Sequence, residues 1–175
     1  MSARSHPRSR THAVIEIALP DPQATAALAE ALAGVAGRGD VIGLSGDLGT
    51  GKTTFARAFI RARAARDGKG EDEEVPSPTF TLVQTYDFGG VPVWHFDLLR
   101  VERAGDVLEL GIEEAFAAAI SLIEWPERLG PLCPRDWLDV HLELAEGELA
   151  RSARLTGHGR WRDRLEELPW LSATP

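Results

Sequence analysis

Gly46-Asp47-Leu48-Gly49-Thr50-Gly51-Lys52-Thr53 is the stretch that decides the fold, because it matches the phosphate-binding pattern G-x-x-x-x-G-K-[ST]. An apolar run at residues 41–44 precedes it and is typical of a short buried strand. The residues that follow, 53–65, are typical of a helix. A strand, a glycine-rich loop and a helix in this order are the context that a P-loop requires. The sequence therefore predicts a nucleotide-binding site at this point.

Each residue type in the loop has a physical reason. Glycines let the backbone curl around an anion, so that successive N–H groups and the helix N-terminus point at the phosphates. Lys52 supplies a mobile positive charge for the outer phosphates, and the Thr53 hydroxyl is a hard oxygen ligand suited to Mg²⁺. The Thr50 amide and Thr54 are further candidates for phosphate contact. The chain has 17 arginines but only two lysines, and one of these is Lys52.

Length and composition limit the class of protein. A chain of 175 residues with 43% hydrophobic content suits one compact domain. No apolar run approaches the roughly 20 residues that span a bilayer, and the first twelve residues lack the apolar core of a secretory signal. A single cysteine, Cys133, forms no internal disulfide. We therefore expect a cytoplasmic protein without a membrane partner.

The charge is unevenly distributed. The net charge is −8, from 19 basic and 27 acidic residues, but three arginines and no acidic residue lie in the first twelve positions. The rest of the chain is therefore more acidic than the whole, which makes it a poor binder of nucleic acid on its own. We expect a disordered basic tail at residues 1–12, a P-loop ATPase domain at 13–158 and a C-terminal tail at 159–175. An apolar stripe in that tail favours a docked helix.

The order of the elements predicts the fold class. Strands are predicted at residues 14–19, 41–44, 81–87, 91–96, 119–123, 137–144 and 149–156, with helices between several of them. This order is typical of an α/β protein with a P-loop NTPase-like three-layer fold. We expect a mixed sheet with central parallel strands and antiparallel edge strands. Pro92 indicates that its strand begins at a sheet edge, and Arg57, Arg61 and Arg63 are predicted to form a solvated face of the P-loop helix.

A stiff loop follows that helix in the sequence. Two prolines in Val75-Pro76-Ser77-Pro78-Thr79-Phe80 hold the backbone extended and fix the direction of the Thr79 hydroxyl. The segment is compatible with a simple rigid turn. Its position between the first P-loop helix and the next strand is that of an NTPase switch loop, which favours contact of Thr79 with the γ-phosphate or Mg²⁺.

Two carboxylates follow predicted strands. Asp97 and Glu124 each stand at the carboxyl end of a strand, where α/β sheets present metal-binding or water-orienting groups. Spacing alone does not say which of the two reaches the metal. Thr25 lies in the first turn of an early helix, and from the residues alone an ordinary surface threonine is the better interpretation.

Taken in order, the motifs resemble one family, the bacterial TsaE proteins. These are small P-loop ATPases that support threonylcarbamoyl modification of the tRNA adenosine beside the anticodon. The matching stretches are the P-loop with Thr54, then Ser77-Pro78-Thr79-Phe80-Thr81-Leu82-Val83, His95-Phe96-Asp97-Leu98 with Arg100, Glu109-Leu110-Gly111 and Ile123-Glu124-Trp125-Pro126-Glu127. They cover residues 19 to 144. Leu99 stands where the family usually has tyrosine.

The resemblance implies roles for individual residues. It places ATP phosphates on Gly49, Thr50, Gly51, Lys52, Thr53 and Thr54, and Mg²⁺ on Thr53 with Glu124. It implies a catalytic part for Lys52 and Glu124, a switch-like role for Thr79 and a structural or water-orienting role for Asp97. Thr25 falls where the early helix of the family approaches the nucleotide.

The resemblance also implies partners and an activity. It describes a weak ATPase that acts on a complex of TsaD and TsaB and meets tRNA only indirectly. A small-molecule kinase is the alternative, although such kinases usually need a mobile basic lid and the only arginines between residues 67 and 127 are Arg100 and Arg103. A GTPase lacks support because the chain has no Asn-Lys-x-Asp motif. A binding module with negligible hydrolysis differs from the ATPase only in rate.

Overall fold

The computed structural model describes residues 13–69 and 74–168. The predicted basic tail at 1–12 and the end of the chain after residue 168 lie outside the described residues. The strands are β1 (Val14–Leu19), β2 (Val41–Ser45), β3 (Val83–Tyr86), β4 (Val93–Asp97), β5 (Ile120–Glu124), β6 (Trp137–Leu144) and β7 (Arg151–His158). The helices are α1 (Pro22–Val35), α2 (Lys52–Arg66), α3 (Ala104–Leu108), α4 (Ile112–Ala118) and α5 (Arg160–Glu166), with a 3-10 segment at Pro126–Leu132.

The described strands form one mixed sheet in the order β1-β7-β6-β2-β5-β4-β3. Strand β2 pairs in parallel with β5 and β6, and β4 pairs in parallel with β5. Towards the edges, β7 runs antiparallel to β6 and β1, and β3 runs antiparallel to β4. The predicted fold class, with a parallel centre and antiparallel edges, is confirmed. All parallel strands therefore end at the same edge of the sheet, where the P-loop also lies.

The position of β4 corrects the expectation based on Pro92. Strand β4 lies inside the sheet, between β5 and β3. Pairing with β3 ends at Val93, so the missing N–H of Pro92 breaks no bond of that ladder. On its other side, the carbonyl of Pro92 accepts a hydrogen bond from the N–H of Ile120. Proline is tolerated here because it precedes the strand.

Helices cover both faces of the central strands. Because side chains alternate along a strand, Ile42 and Leu44 pack under α1 and α2, whereas Val41 packs on the opposite side with α3 and α4. Phe55 and Phe59, one turn apart on α2, are fully buried against the sheet. Burial of each such ring stabilises the fold by about 1.5–3 kcal/mol. This packing fixes the start of α2 at the end of β2.

The sequence predicts the start of α1 correctly and one side chain of α2 wrongly. The carboxylate of Asp21 accepts a hydrogen bond from the N–H of Ala24, and Pro22 opens the helix. Arg63, predicted to be solvated, is only 8% exposed. It donates to the carbonyls of Ala33 and Ala36 at the end of α1. Those carbonyls lack helical partners, so the arginine satisfies them.

The short helix α5 lies on the sheet. Its stripe of apolar residues, Trp161, Leu165 and the following Leu168, is buried in the same core as α1 and α2. A Cβ added at Gly157 would lie 2.7 Å from the backbone of Trp161, so glycine allows the close approach of α5 to β7. None of the helices in the described residues is both long and apolar enough to cross a bilayer.

Candidate functional site

The P-loop joins β2 to α2 through three glycines with positive φ. The angles are 123° at Gly46, 78° at Gly49 and 102° at Gly51, a region that favours glycine. At Gly46 a Cβ would also lie 2.1 Å from the carbonyl oxygen of Leu142 on β6. Gly51 caps α2 without any side-chain hydrogen bond. The first N–H groups of α2 therefore remain available to an anion.

Lys52 is folded into the loop. Its side chain is buried, and Nζ donates to the carbonyls of Gly46, at 2.7 Å, and Asp47, at 2.6 Å. The ammonium also lies 4.1 Å from the centre of the Trp125 ring, a cation–π contact. Burial lowers the pKa of Lys52, an effect opposed by nearby carboxylates, of which Glu124 has the largest influence.

Glu124, the last residue of β5, faces the first turn of α2. The Thr53 hydroxyl lies 3.0 Å from each of its carboxylate oxygens, and Oε1 also contacts His95 Nε2 at 2.8 Å. His95 is fully buried on β4, and its Nδ1 has no hydrogen-bond partner among the described residues. A proton on Nε2 would let the ring donate to this carboxylate oxygen. His95 therefore orients the carboxylate.

Asp97 ends the neighbouring strand β4 and is paired in register with Glu124. Its Oδ2 accepts a hydrogen bond from the Thr79 hydroxyl at 3.2 Å, and its Oδ1 accepts one from the N–H of Leu99 at 3.1 Å. The Thr79 hydroxyl also lies 2.7 Å from that of Ser77. In this structure Glu124 contacts Thr53, whereas Asp97 holds the proline-containing loop that carries Thr79.

These groups surround one cavity of about 380 Å³ at the carboxyl edge of the sheet. Eight of the residues predicted for the site line it, namely Gly49, Gly51, Lys52, Thr53, Thr54, Thr79, Asp97 and Glu124. A larger groove, of about 540 Å³, lies between α1 and α2, but it contains no glycine loop and only one carboxylate, that of Glu30. The smaller cavity is therefore the candidate site on chemical grounds.

Two residues predicted for the nucleotide site, Thr25 and Thr50, do not line the cavity. Thr25 is 3% exposed in the first turn of α1, so it is not the surface threonine that the residues alone indicate. Thr50 is 2% exposed, and its hydroxyl donates to the carbonyl of Asp47 at 2.8 Å. This hydrogen bond within the P-loop stabilises the conformation of the loop. An ATP contact of Thr25 or of the Thr50 amide stays a prediction.

Three residues around the cavity were given no role in the sequence analysis. Trp125 has a φ of 61°, rare for a residue other than glycine, and places its ring over Lys52. His95 appeared only as part of a motif. Arg151, the first residue of β7, lines the cavity and donates to the carbonyl of Gly49 at 3.2 Å. The sequence contained one sign of this position of Arg151. Antiparallel pairing of β7 with β6 places the start of β7 at the edge of the sheet where the P-loop lies.

A glycine loop at an open helix N-terminus, a buried lysine and two carboxylates from adjacent strand ends define the class: a P-loop protein with an α/β fold. The family follows from comparison with known sequences. The family model for "Threonylcarbamoyl adenosine biosynthesis protein TsaE" matches residues 19–153. The chain belongs to the TsaE family, as its motifs indicated.

Individual relatives agree over most of their length. The tRNA threonylcarbamoyladenosine biosynthesis protein TsaE of Rickettsia conorii is 35% identical over 157 residues, which cover 90% of this chain and 87% of that protein. The protein of the same name from Bacillus subtilis is 35% identical over 150 residues, covering 85% and 89%. The crystal structure of Bacillus subtilis YdiB superposes with a TM-score of 0.73 at 28% identity, covering 94% of this chain and 97% of that one.

Proposed function

We propose that this protein binds ATP with Mg²⁺ and hydrolyses it slowly to support the complex of TsaD and TsaB. That complex would perform the threonylcarbamoyl modification of the tRNA adenosine next to the anticodon. The proposal includes a cytoplasmic location, no membrane partner and only indirect contact with tRNA. The observation that supports it best is the Thr53 hydroxyl beside Glu124 at the uncapped start of α2.

The residues present fit a magnesium ion. A hydroxyl oxygen and a carboxylate are the hard ligands that Mg²⁺ prefers, and Thr53 and Glu124 already lie within hydrogen-bond distance. They would hold the ion, which supplies charge neutralisation at the β- and γ-phosphates. His95 would keep the Glu124 carboxylate in position, as outer partners of metal ligands do.

The remaining groups would bind the phosphates and order water. Lys52 would exchange its contacts with the carbonyls of Gly46 and Asp47 for a charge-assisted hydrogen bond to a phosphate oxygen. Asp97 would orient the attacking water, and Thr79 would act as a switch because its hydroxyl bonds to Asp97. In this view Gly49, Thr50, Gly51 and Thr54 contribute backbone or hydroxyl contacts to the phosphates.

We expect slow turnover because few cationic side chains line the cavity. Among the described residues that line the cavity, the cationic side chains are Lys52 and Arg151. The Arg151 guanidinium already donates to the carbonyls of Gly49 and Ala150. A transition state for phosphoryl transfer is stabilised by a free arginine, which in many such proteins comes from a partner. The proposal therefore requires stimulation by the TsaD and TsaB complex. In this proposal, residues 13–158 of the chain form the ATPase domain.

The test is ATP binding and phosphate release with purified protein, alone and with the TsaD and TsaB complex, for wild type and Lys52→Ala. We expect ATP to bind in preference to GTP, slow release of phosphate that the complex accelerates, and threonylcarbamoyl transfer to tRNA that fails with Lys52→Ala. Rapid hydrolysis that the complex does not change would contradict the proposal. Transfer of phosphate to a metabolite would favour a kinase.

A further inference from the structure

Four polar residues form a row across the antiparallel side of the sheet, and the row ends at the P-loop. Glu16 on β1 is paired in register with Arg154 on β7, and Arg154 is paired with His141 on β6. His141 is paired in turn with Ser45, the last residue of β2. Residues paired in register on neighbouring strands lie on the same face of a sheet. The row therefore connects an exposed edge of the sheet with the residue immediately before the P-loop.

Ser45 and His141 belong to a chain of short polar contacts. Ser45 Oγ lies 2.7 Å from Asp139 Oδ1 and 2.9 Å from His141 Nδ1. The other ring nitrogen, Nε2, lies 3.0 Å from Glu143 Oε1, and Arg154 Nη2 lies 3.8 Å from the same oxygen. Asp139 is partly buried, whereas Glu143 is exposed. We call Ser45, Asp139, His141 and Glu143 the β6 network.

The hydrogen atoms available to the β6 network show that it needs one extra proton. The network has three contacts, and each contact needs one hydrogen. The Ser45 hydroxyl and a neutral imidazole supply one each, and ionised carboxylates supply none. The third hydrogen is a proton bound by the ring or by a carboxyl group, and burial, which raises the pKa of Asp139, favours such a proton. When this proton leaves, one contact sets two lone pairs against each other.

The β6 network lies against the start of the P-loop. Ser45 precedes Gly46, and the carbonyl of Gly46 accepts a hydrogen bond from Lys52 at 2.7 Å. The backbone of Gly46 also packs on β6, since a Cβ there would clash with the carbonyl oxygen of Leu142, the residue after His141. The contacts of Ser45 therefore hold the P-loop where it leaves the sheet.

We propose that His141 is a positioning residue for the nucleotide site, because through Ser45 it holds the P-loop in its phosphate-binding conformation while the β6 network keeps its extra proton. This inference rests on the proposed function and adds a pH dependence to the same site. Loss of the proton removes one contact beside the P-loop. It also leaves one more negative charge near a site that binds an anion. Both effects weaken ATP binding as the pH rises.

Charged groups face the ring from its own strand and from the strands beside it. They are Asp139 and Glu143 on β6, Arg154 on β7 and, beyond Arg154, Glu16 on β1. On β2 the neighbour is the uncharged Ser45. One arginine and one extra proton stand against three carboxylates, so the net charge of this group is −1 with the proton and −2 without it. Loss of the proton therefore leaves the group more repulsive to a triphosphate.

The test measures the dissociation constant of ATP with Mg²⁺ for the full chain at about pH 6 and about pH 8.5, on either side of the ordinary imidazole pKa of about 6.5. His141→Asn keeps an N–H donor near the place of Nδ1 but cannot ionise. His141→Gln puts its amide near the place of Nε2, away from Ser45. Ser45→Ala breaks the same contacts from the side of β2. The midpoint of thermal unfolding is measured for every variant.

Two variants are matched controls. Ser152→Ala removes a hydroxyl on the same face of the sheet, where Ser152 is paired with Glu143 and not with His141. His158→Gln removes an imidazole at the other end of β7, where the ring stacks on Trp137. Both controls should bind ATP within about twofold of wild type at each pH.

Comparison of two proteins at one pH cancels the ionisation of ATP itself. We expect His141→Gln and Ser45→Ala to bind ATP about three- to tenfold more weakly than wild type at about pH 6, a difference that shrinks by about pH 8.5. His141→Asn should match wild type at about pH 6 and bind about three- to tenfold more tightly than wild type at about pH 8.5.

The outcomes separate this inference from the proposed function. An equal deficit of His141→Gln at both pH values means a purely structural role and overturns the inference. Wild-type affinity of Ser45→Ala at about pH 6 overturns it as well, so a His141→Gln chain that does not fold leaves a deciding variant. Either result leaves the proposed function intact. Failure of the wild type to bind ATP at either pH overturns the proposed function itself.

Discussion

The Thr53 hydroxyl and the Glu124 carboxylate lie 3.0 Å apart although their positions in the chain differ by 71. Parallel pairing of β2 with β5 sets this distance, because it brings the end of β5 beside the loop that follows β2. The two side chains come from different elements of the fold, and neither needs to leave its place to share a ligand. Their adjacency suggests the first of four predictions.

Glu124→Gln keeps the size of the side chain and removes its charge. We expect phosphate release to fall at least about 100-fold, since loss of even an outer partner of a metal ligand costs about 10–100-fold. The concentration of Mg²⁺ needed for half-maximal release should rise. Binding of ATP without Mg²⁺ should persist, because the variant removes a negative charge from an anion site.

The measurement is a titration of phosphate release with Mg²⁺ at saturating ATP. Glu113→Gln is the control, because Glu113 is exposed on α4 and does not line the cavity. An unchanged magnesium dependence in Glu124→Gln would remove Glu124 from the set of metal ligands.

His95→Gln tests the residue behind the carboxylate. The shorter amide does not hold Glu124 Oε1 as His95 Nε2 does at 2.8 Å. We expect the turnover rate to fall about 10–100-fold, with the dissociation constant of ATP nearly unchanged. Single-turnover kinetics, compared with equilibrium binding, separate the two quantities. A loss of thermal stability with no change in rate would mean that His95 is only a packing residue.

How much of the site the sequence predicts depends on how local each signal is. The P-loop, the strand before it and the helix after it are contiguous, so the pattern of glycines with Lys52 predicts all three. Asp97 and Glu124 follow strands, so their shared edge is predicted as well. Arg151 and Trp125 are different. Arg151 reaches Gly49 only through the pairing of β6, β7 and β2, and the ring of Trp125 meets Lys52 only because the backbone turns to positive φ.

Arg63 and Thr25, whose surroundings the sequence predicts wrongly, also show that local patterns do not determine long-range contacts. Helical periodicity predicts Arg63 on a solvated face. Its guanidinium instead donates hydrogen bonds to carbonyls at the end of α1 that have no helical partners. The sequence also gives no sign that Thr25 is buried, because burial of the first turn of α1 depends on where the neighbouring elements pass. Tertiary packing decides such positions, and a periodic pattern contains no information about it.

Gly46→Ala should disable the phosphate loop. The φ of 123° strains any other residue, and the new Cβ would lie 2.1 Å from the carbonyl oxygen of Leu142. We expect a loss of at least about 1–3 kcal/mol in the free energy of unfolding and little measurable ATP binding. Gly37→Ala is the matched control, because a Cβ there meets no atom within 4 Å. Urea unfolding and ATP titration check both variants, and a Gly46→Ala protein that still binds ATP at wild-type affinity would contradict the geometry.

Two aspartates near β6 should respond to pH with opposite signs. Burial raises the pKa of Asp139, although the hydroxyl of Ser45 donates to its carboxylate at 2.7 Å. The pKa of Asp136 is lowered, chiefly by the hydrogen bond from the N–H of Arg160. Because of its raised pKa, Asp139 keeps its proton to a higher pH in the folded state than in the unfolded state, where the pKa is about 3.8. The contribution of Asp139 to stability falls as the pH rises from that value through its raised folded pKa.

For Asp136 the order is reversed. Its contribution is present above the unfolded pKa and is lost as the pH falls through the lowered folded pKa. Asp139→Asn should therefore gain stability relative to wild type as the pH rises from about 4 to 7, because the amide has no charge to bury. Asp136→Asn should lose stability relative to wild type near neutral pH, and this deficit should shrink on acidification. Urea unfolding of the three proteins from about pH 7 down to about pH 2.5 measures both differences, because the Asp136 difference changes mainly below the unfolded pKa of 3.8. If the two variants changed with pH in the same direction, burial would not be what sets the pKa of Asp139.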